Sequence, residues 1–194
     1  MLKHQIRKLL ILCIFFTPNL SAEYLKTDSH GLDIYYRIIG TGEPLLIIGG
    51  GPGDVSDRYL SICELLSTNF KCILVDQRGT GKSYPAVYDS STISISLTLD
   101  DFEAIRKQLG LKKWHVLGFS YGGYLASLYT HFFPDSASSL ILLDSMGLNS
   151  DGFGHFMDNI RSKMHAEDQD RFDFWNDPAR NETDPKHALV ERIQ

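Results

Sequence analysis

A chain of 194 residues with 43% apolar content is long enough to bury a sizeable core in a single domain. Its formal charge of −5, with Lys3, Arg7 and Lys8 as the one conspicuous basic cluster, excludes a nucleic-acid footprint. The ordinary mixture of charged and apolar residues also excludes a disordered chain.

The first segment reads as an address. Basic residues precede Leu9-Leu10-Ile11-Leu12-Cys13-Ile14-Phe15-Phe16, and Pro18 and then Leu20-Ser21-Ala22 follow, an order that suits a signal peptide over residues 1–22. Eight apolar residues fall short of the roughly 20 that span a bilayer, so no stable membrane anchor is expected. Bulky Leu12 ahead of Cys13 argues against lipid attachment. The expected product is an exported protein, periplasmic or secreted.

Leu32-Asp33-Ile34-Tyr35-Tyr36-Arg37-Ile38 partly alternates, as an edge strand does, and Gly40-Thr41-Gly42 turns it into Leu45-Leu46-Ile47-Ile48, apolar throughout like a buried parallel strand. This strand empties into Gly49-Gly50-Gly51-Pro52-Gly53. One reading is a plain strand-to-helix turn, with Asp54 or Ser56 capping the helix through Leu60, Leu65 and Leu66. The other is a loop that brings a backbone N–H close to a reacting carbonyl. The next strand, Cys72-Ile73-Leu74-Val75, leads into Asp76-Gln77-Arg78-Gly79-Thr80-Gly81-Lys82-Ser83. A phosphate loop needs a glycine where this block has Asp76, so nucleotide binding is not expected and no cofactor is implied. Asp76 and Arg78 are expected to tie down a turn, paired with each other or with nearby backbone. Cys63 and Cys72 are expected to be two small buried residues rather than a disulfide.

From about Leu97 a helix carries Leu99, Phe102, Ile105 and Leu109 on one side and ends at Gly110. Trp114-His115-Val116-Leu117 is the next strand, followed by Gly118-Phe119-Ser120-Tyr121-Gly122 and a helix through Tyr124, Leu125, Leu128 and Tyr129. Gly-x-Ser-x-Gly between a strand and a helix presents a serine as an exposed nucleophile. Ser120 is therefore the candidate nucleophile, and the backbone N–H groups of Gly51 and Tyr121 are the candidate oxyanion hole. The alternation of strand and helix predicts an α/β domain with a mostly parallel, doubly wound sheet. Leu140-Ile141-Leu142-Leu143-Asp144 is expected to be a further buried strand.

Gly-Gly-Gly-Pro-Gly, Asp-Gln-Arg-Gly-Thr-Gly-Lys-Ser and Gly-Phe-Ser-Tyr-Gly-Gly, at these intervals, resemble the α/β-hydrolase fold and, within it, the proline iminopeptidase group of serine aminopeptidases. The resemblance covers about residues 25–148. It implies acylation of Ser120 by a small peptide or ester substrate and release of an N-terminal proline. The group typically has a histidine where this chain has Gly49 and often a tryptophan where it has Tyr121. Esterase-type α/β-hydrolases carry looser versions of the same blocks, and that alternative stays open.

The resemblance divides the chain into residues 23–148, the N-terminal part of the core, and 149–194, the start of a helical cap. In the cap Phe153, Phe156, Ile160 and Met164 are spaced as one helix face, and Pro178 and Pro185 break the pattern. Glu167, Asp168 and Asp170 are candidates to hold a substrate's free amine, as cap carboxylates do in that group; the alternative is a solvated helix face. In this fold the acid and base follow the nucleophile in the order Asp or Glu, then His. Both are expected beyond Gln194, on roughly 100 further residues, so the domain is expected to be truncated. His115 is expected in the core, His131 on the helix after Ser120, and His155, His165 and His187 in the cap, while Asp144 is a weak candidate orienter. A non-catalytic protein that keeps the pocket and lacks the base is the remaining alternative.

Overall fold

Strands that are apolar along their whole length need cover on both faces. In the computed structural model, which describes residues 23–148 and 151–176, the runs at Leu45 and Cys72 receive that cover. The elements are β1 (Leu25–Ser29), β2 (Leu32–Ile39), β3 (Glu43–Ile48), a 3-10 turn (Ser56–Tyr59), α1 (Leu60–Leu66), β4 (Phe70–Val75), α2 (Ile95–Gln108), β5 (Trp114–Phe119), α3 (Tyr121–Phe132), β6 (Ala137–Leu143), α4 (Asp151–Ser162) and α5 (Ala166–Asn176). They build one six-stranded sheet in the order β1-β2-β4-β3-β5-β6. β4, β3, β5 and β6 run parallel, while β1 and β2 are antiparallel additions at one side. The expected leader over residues 1–22, together with Pro178, Pro185 and His187, lies outside the described residues.

The pleat sends successive side chains to opposite faces, so each apolar strand feeds two cores. Leu46 and Ile48 of β3, Ile73 and Val75 of β4 and Val116 of β5 pack with Leu99, Phe102 and Ile105 of α2 and with Leu125 and Tyr129 of α3. Leu45, Ile47, Cys72, Leu74 and Leu117 pack on the other face with Cys63 of α1. Cys63 and Cys72 are both free thiols, and Cys72 Sγ donates to the Cys63 carbonyl at 3.8 Å. The neighbouring Cys72 and burial together push the Cys63 thiol up, which keeps it an inert core residue.

Two expectations are corrected. β2 is not an edge strand, because Leu25–Ser29 forms β1 beside it, in register from Leu25 with Tyr36 to Ser29 with Leu32. β6, expected to be buried, is an edge among the described strands: Leu140, Ile141 and Leu142 are 39, 37 and 45% exposed. An apolar run reports what a strand would bury and says nothing of whether both neighbours are present.

A buried network binds α2 and α3 to β5. The Glu103 carboxylate accepts from Arg106 at 2.7 Å and from the Tyr129 hydroxyl at 2.6 Å, and Tyr129 in turn accepts from Trp114 Nε1 at 3.0 Å. Burial alone raises the Glu103 carboxyl, but hydrogen bonds from Arg106, Tyr129 and Ser136 and the Arg106 charge outweigh it and push the group down to about 2. A depressed acid contributes stability that is complete above its unfolded value and fades as pH falls through the folded one. From 4.5 to about 2, that contribution is of order 3 kcal/mol at neutral pH. Urea unfolding from pH 7 down to pH about 2 should show wild type exceeding Glu103→Gln by roughly that amount near neutrality. The gap should close as the acid limit is approached. A gap that stays constant with pH would mean that Glu103 contributes through packing alone.

Candidate active site

The carboxyl ends of parallel strands are where an α/β sheet opens a crevice, and three loops meet there. The first is the turn between β5 and α3. Ser120 holds φ 48° and ψ −117°, a left-handed conformation that costs a non-glycine residue about 1–3 kcal/mol. Its backbone is fixed on both sides: Ser120 N–H donates to the Leu143 carbonyl at 3.0 Å, and its own carbonyl accepts from Gly123 N–H at 2.9 Å and Met146 N–H at 3.0 Å. The flanking glycines are steric requirements. A Cβ at Gly118 would lie 2.3 Å from the Gly122 carbonyl oxygen, and one at Gly122 would lie 2.2 Å from the Gly49 carbonyl oxygen. α3 therefore starts hard against β3 and β5. As the first residue of α3, Tyr121 carries one of the N–H groups that a helix cannot satisfy internally, beside the positive end of the helix dipole.

The second loop, Gly49 to Gly53, follows β3. The Gly49 carbonyl accepts from Gln77 Nε2 at 2.8 Å. A Cβ on Gly50 would come within 3.3 Å of Ser120 Cβ, so this loop runs directly against the candidate nucleophile. Gly51 follows at φ +55°, with Asp54 as its near neighbour. The ring of Tyr59 fills the space beside Gly49, where a Cβ would lie 2.6 Å from Tyr59 Cε2. Neither Asp54 nor Ser56 caps the following helix, which removes the capping part of the plain-turn reading: no side chain caps the 3-10 turn or α1. Asp54 Oδ2 instead accepts from the Tyr59 hydroxyl at 2.8 Å, and Ser56 Oγ accepts from Arg37 at 3.0 Å.

The third loop follows β4. Asp76 Oδ2 accepts from Lys82 N–H at 2.9 Å, closing a turn in which a Cβ on Gly81 would strike that carboxylate. Arg78 reaches past this turn to Asp101 on α2 and to the carbonyls of Ser29 and Thr92, so its ionic partner is not Asp76. The loops enclose a cavity of about 240 Å³ lined by Pro52, Gly53, Gln77, Tyr88, Ile93 and Tyr121 among others.

The structure thus places Ser120, the Gly49–Gly53 loop and Tyr121 at one spot. It brings no histidine there among the described residues. His115 is half-buried on β5, 2.7 Å from Ser139 Oγ and edge-on to Phe70. His131 lies exposed near the end of α3 and His155 exposed on α4; His165 lies exposed just before α5. Asp144 is exposed at the end of β6 with φ 46°. Glu167, Asp168 and Asp170 are exposed on α5, which is tied to α4 by Arg161 and Asp173. Tyr59 and Asp101 escape a reading of the sequence, because neither stands in a local pattern that names its partner.

Residues 43–192 match the family described as the alpha/beta hydrolase fold. The chain is 35% identical over 132 residues to a proline iminopeptidase of Lactobacillus helveticus, covering 62% of this chain and 43% of that protein. To a proline iminopeptidase of Xylella fastidiosa it is 30% identical over 148 residues, covering 75% of this chain and 46% of that one. The chain therefore spans less than half the length of these curated relatives. The crystal structure of a Mycobacterium smegmatis proline iminopeptidase superposes with a TM-score of 0.70 at 22% identity, over 89% of this chain and 58% of that one, a likeness of fold.

Proposed function

Because the chain belongs to the alpha/beta hydrolase fold family, we propose that it carries the nucleophile and oxyanion hole of a serine hydrolase of proline iminopeptidase type. The observation that supports this reading best is the backbone of Ser120. A serine is held at φ 48° on a strand-to-helix turn by hydrogen bonds to Leu143, Gly123 and Met146, and strain of this kind gathers where a side chain is presented for chemistry. In this reading Ser120 Oγ attacks a carbonyl carbon, its proton passes to solvent because no described histidine is placed to take it, and the carbonyl π electrons move onto oxygen. The N–H groups of Tyr121 and of Gly51 hold the resulting oxyanion. Substrate is a small peptide or ester, α4 and α5 begin a cap over the site, and residues 1–22 direct export.

The second reading is a protein that keeps the pocket without turnover, favoured by the lack of a histidine at Ser120 among the described residues. One panel separates the readings. Prolyl arylamide, its N-acetylated form and a short-chain aryl ester are offered to wild type and Ser120→Ala, and a fluorophosphonate probe is applied to both. The peptidase reading expects slow labelling at Ser120 that is absent in Ser120→Ala, and cleavage of the prolyl arylamide alone among the two amides. With no base at Ser120 among the described residues, residual catalysis of about 10³–10⁴-fold over water is the scale to look for. Fast ester cleavage without prolyl arylamide turnover moves the assignment to an esterase, and no labelling at all favours the non-catalytic reading.

A further inference from the structure

Tyr59 ends the 3-10 turn ahead of α1 and touches both strand ends that make the candidate site. Its ring lies against Phe119, the residue before Ser120, with centroids 5.0 Å apart, and its edge occupies the space beside Gly49. Its hydroxyl accepts from Gly50 N–H at 2.6 Å and donates to Asp54 Oδ2 at 2.8 Å. Asp54 is itself fixed through its other oxygen, which accepts from Val55 N–H at 3.1 Å and faces Arg58 Nε at 3.3 Å.

A phenol has one proton to give. With that proton committed to a carboxylate, the oxygen offers Gly50 only a lone pair, so the direction of the whole relay is set by Asp54. Burial pushes the Tyr59 phenol above its ordinary range despite the opposing pull of Gly50 N–H, which keeps that proton in place. The consequence falls on the loop. The loop lies against Ser120 at Gly50, and Tyr59 takes the Gly50 N–H out of use. Gly51 N–H donates to no group among the described residues.

We infer that Tyr59, oriented by Asp54, is the positioning residue of the loop after β3: it withdraws Gly50 N–H from the reacting centre and fixes Gly51 as the residue whose N–H serves the oxyanion. The second half of this statement rests on the serine-hydrolase reading; the first half does not. Removing the hydroxyl frees Gly50 N–H, lets the glycine run change its backbone angles, and leaves the oxyanion donor without a set position. Loss of a donor outright costs about 10²–10³ in rate, and loss of its positioning should approach the lower end of that range.

The test uses the full chain as wild type, Tyr59→Phe, Asp54→Asn and Ser120→Ala. Amide hydrogen exchange at Gly50 and Gly51 is read by NMR, the rate of fluorophosphonate capture at Ser120 by intact mass and peptide mapping, and folding by thermal melting. In Tyr59→Phe, exchange at Gly50 should speed up by about tenfold or more and capture should slow by about 10–100-fold, with melting little changed. Asp54→Asn has one accepting oxygen for both Val55 N–H and the phenol, and should move Gly50 exchange and capture in the same direction as Tyr59→Phe, by a smaller factor. Tyr59→Phe with wild-type exchange at Gly50 overturns the inference. If wild type shows no capture at Ser120, the serine-hydrolase reading fails, and exchange at Gly50 still decides the role of Tyr59 in the loop.

Discussion

Asp101→Ala is expected to lower the unfolding free energy by about 3–5 kcal/mol, a large part of what a domain of this size possesses. The Arg78 and Asp101 side chains are only 3 and 1% exposed. Arg78 Nε donates to Asp101 Oδ2 at 3.0 Å, Nη2 donates to Oδ1 and to the Ser29 carbonyl at 3.1 Å, and Nη1 donates to the Thr92 carbonyl at 3.3 Å. Burial pushes the Asp101 carboxyl up even though Arg78 pulls it back, so the pair exists against a substantial desolvation cost. Such a pair adds little over an apolar isostere, yet breaking it strands a charge in the interior. The double replacement Arg78→Met with Asp101→Leu should therefore lose far less than the single change. Urea midpoints at constant slope measure both. A single variant within about 1 kcal/mol of wild type would show that the guanidinium finds water instead.

Gly122→Ala is expected to be the most damaging single methyl group at the site. Alanine favours helix over glycine by about 1 kcal/mol, so the local preference predicts a gain. The new Cβ would sit 2.2 Å from the Gly49 oxygen and 2.3 Å from the Ile48 oxygen, both backbone atoms in the central strand and the loop it feeds. Neither can rotate away, so α3 must move off β3, and overpacking of this kind costs 1–3 kcal/mol or more. We expect a net loss of about 2 kcal/mol and, because the shift parts Ser120 from the Gly49–Gly53 loop, a fall in fluorophosphonate capture of at least tenfold. Gly152→Ala is the matched control: it lies in α4 with nothing within 4 Å of its Cβ and should melt at or slightly above wild type. Equal melting of the two variants would refute the steric account.

How much of this was legible in the sequence depended on whether a residue's partner stood close by in the chain. The apolar runs at Leu45, Cys72 and Trp114 disclosed buried strands because each serves both faces of the sheet. The glycines around Ser120 disclosed a turn because the contacts that exclude a Cβ recur wherever strand and helix meet so closely. β1 was invisible: Leu25-Lys26-Thr27-Asp28-Ser29 has little strand character of its own and extends only because β2 lies beside it. Arg78 stands in a turn motif in the sequence, yet its side chain spans to a helix 23 positions away. Tyr59 was indistinguishable from any aromatic next to an amphipathic helix, since its role comes from Gly50 and Asp54 converging on one oxygen. Edge exposure of β6 could not be seen either, because the strand is as apolar as its buried neighbours.

The strand order also dictates a schedule. β3 is the first parallel strand to leave the ribosome, and it is flanked in the sheet by β4 and β5, both synthesised later. Leu45 pairs with His115, roughly 70 residues downstream, so at about 5–20 residues per second one edge of Leu45-Leu46-Ile47-Ile48 waits several seconds for its neighbour. During that interval a wholly apolar segment of the sheet exposes a free hydrogen-bonding edge, and Gly122 has not yet arrived to lean α3 on it. Nascent chains of this topology are consequently most in need of a holding chaperone between the emergence of β4 and that of β5, and crowding of ribosomes on one message would be the condition under which they find each other instead.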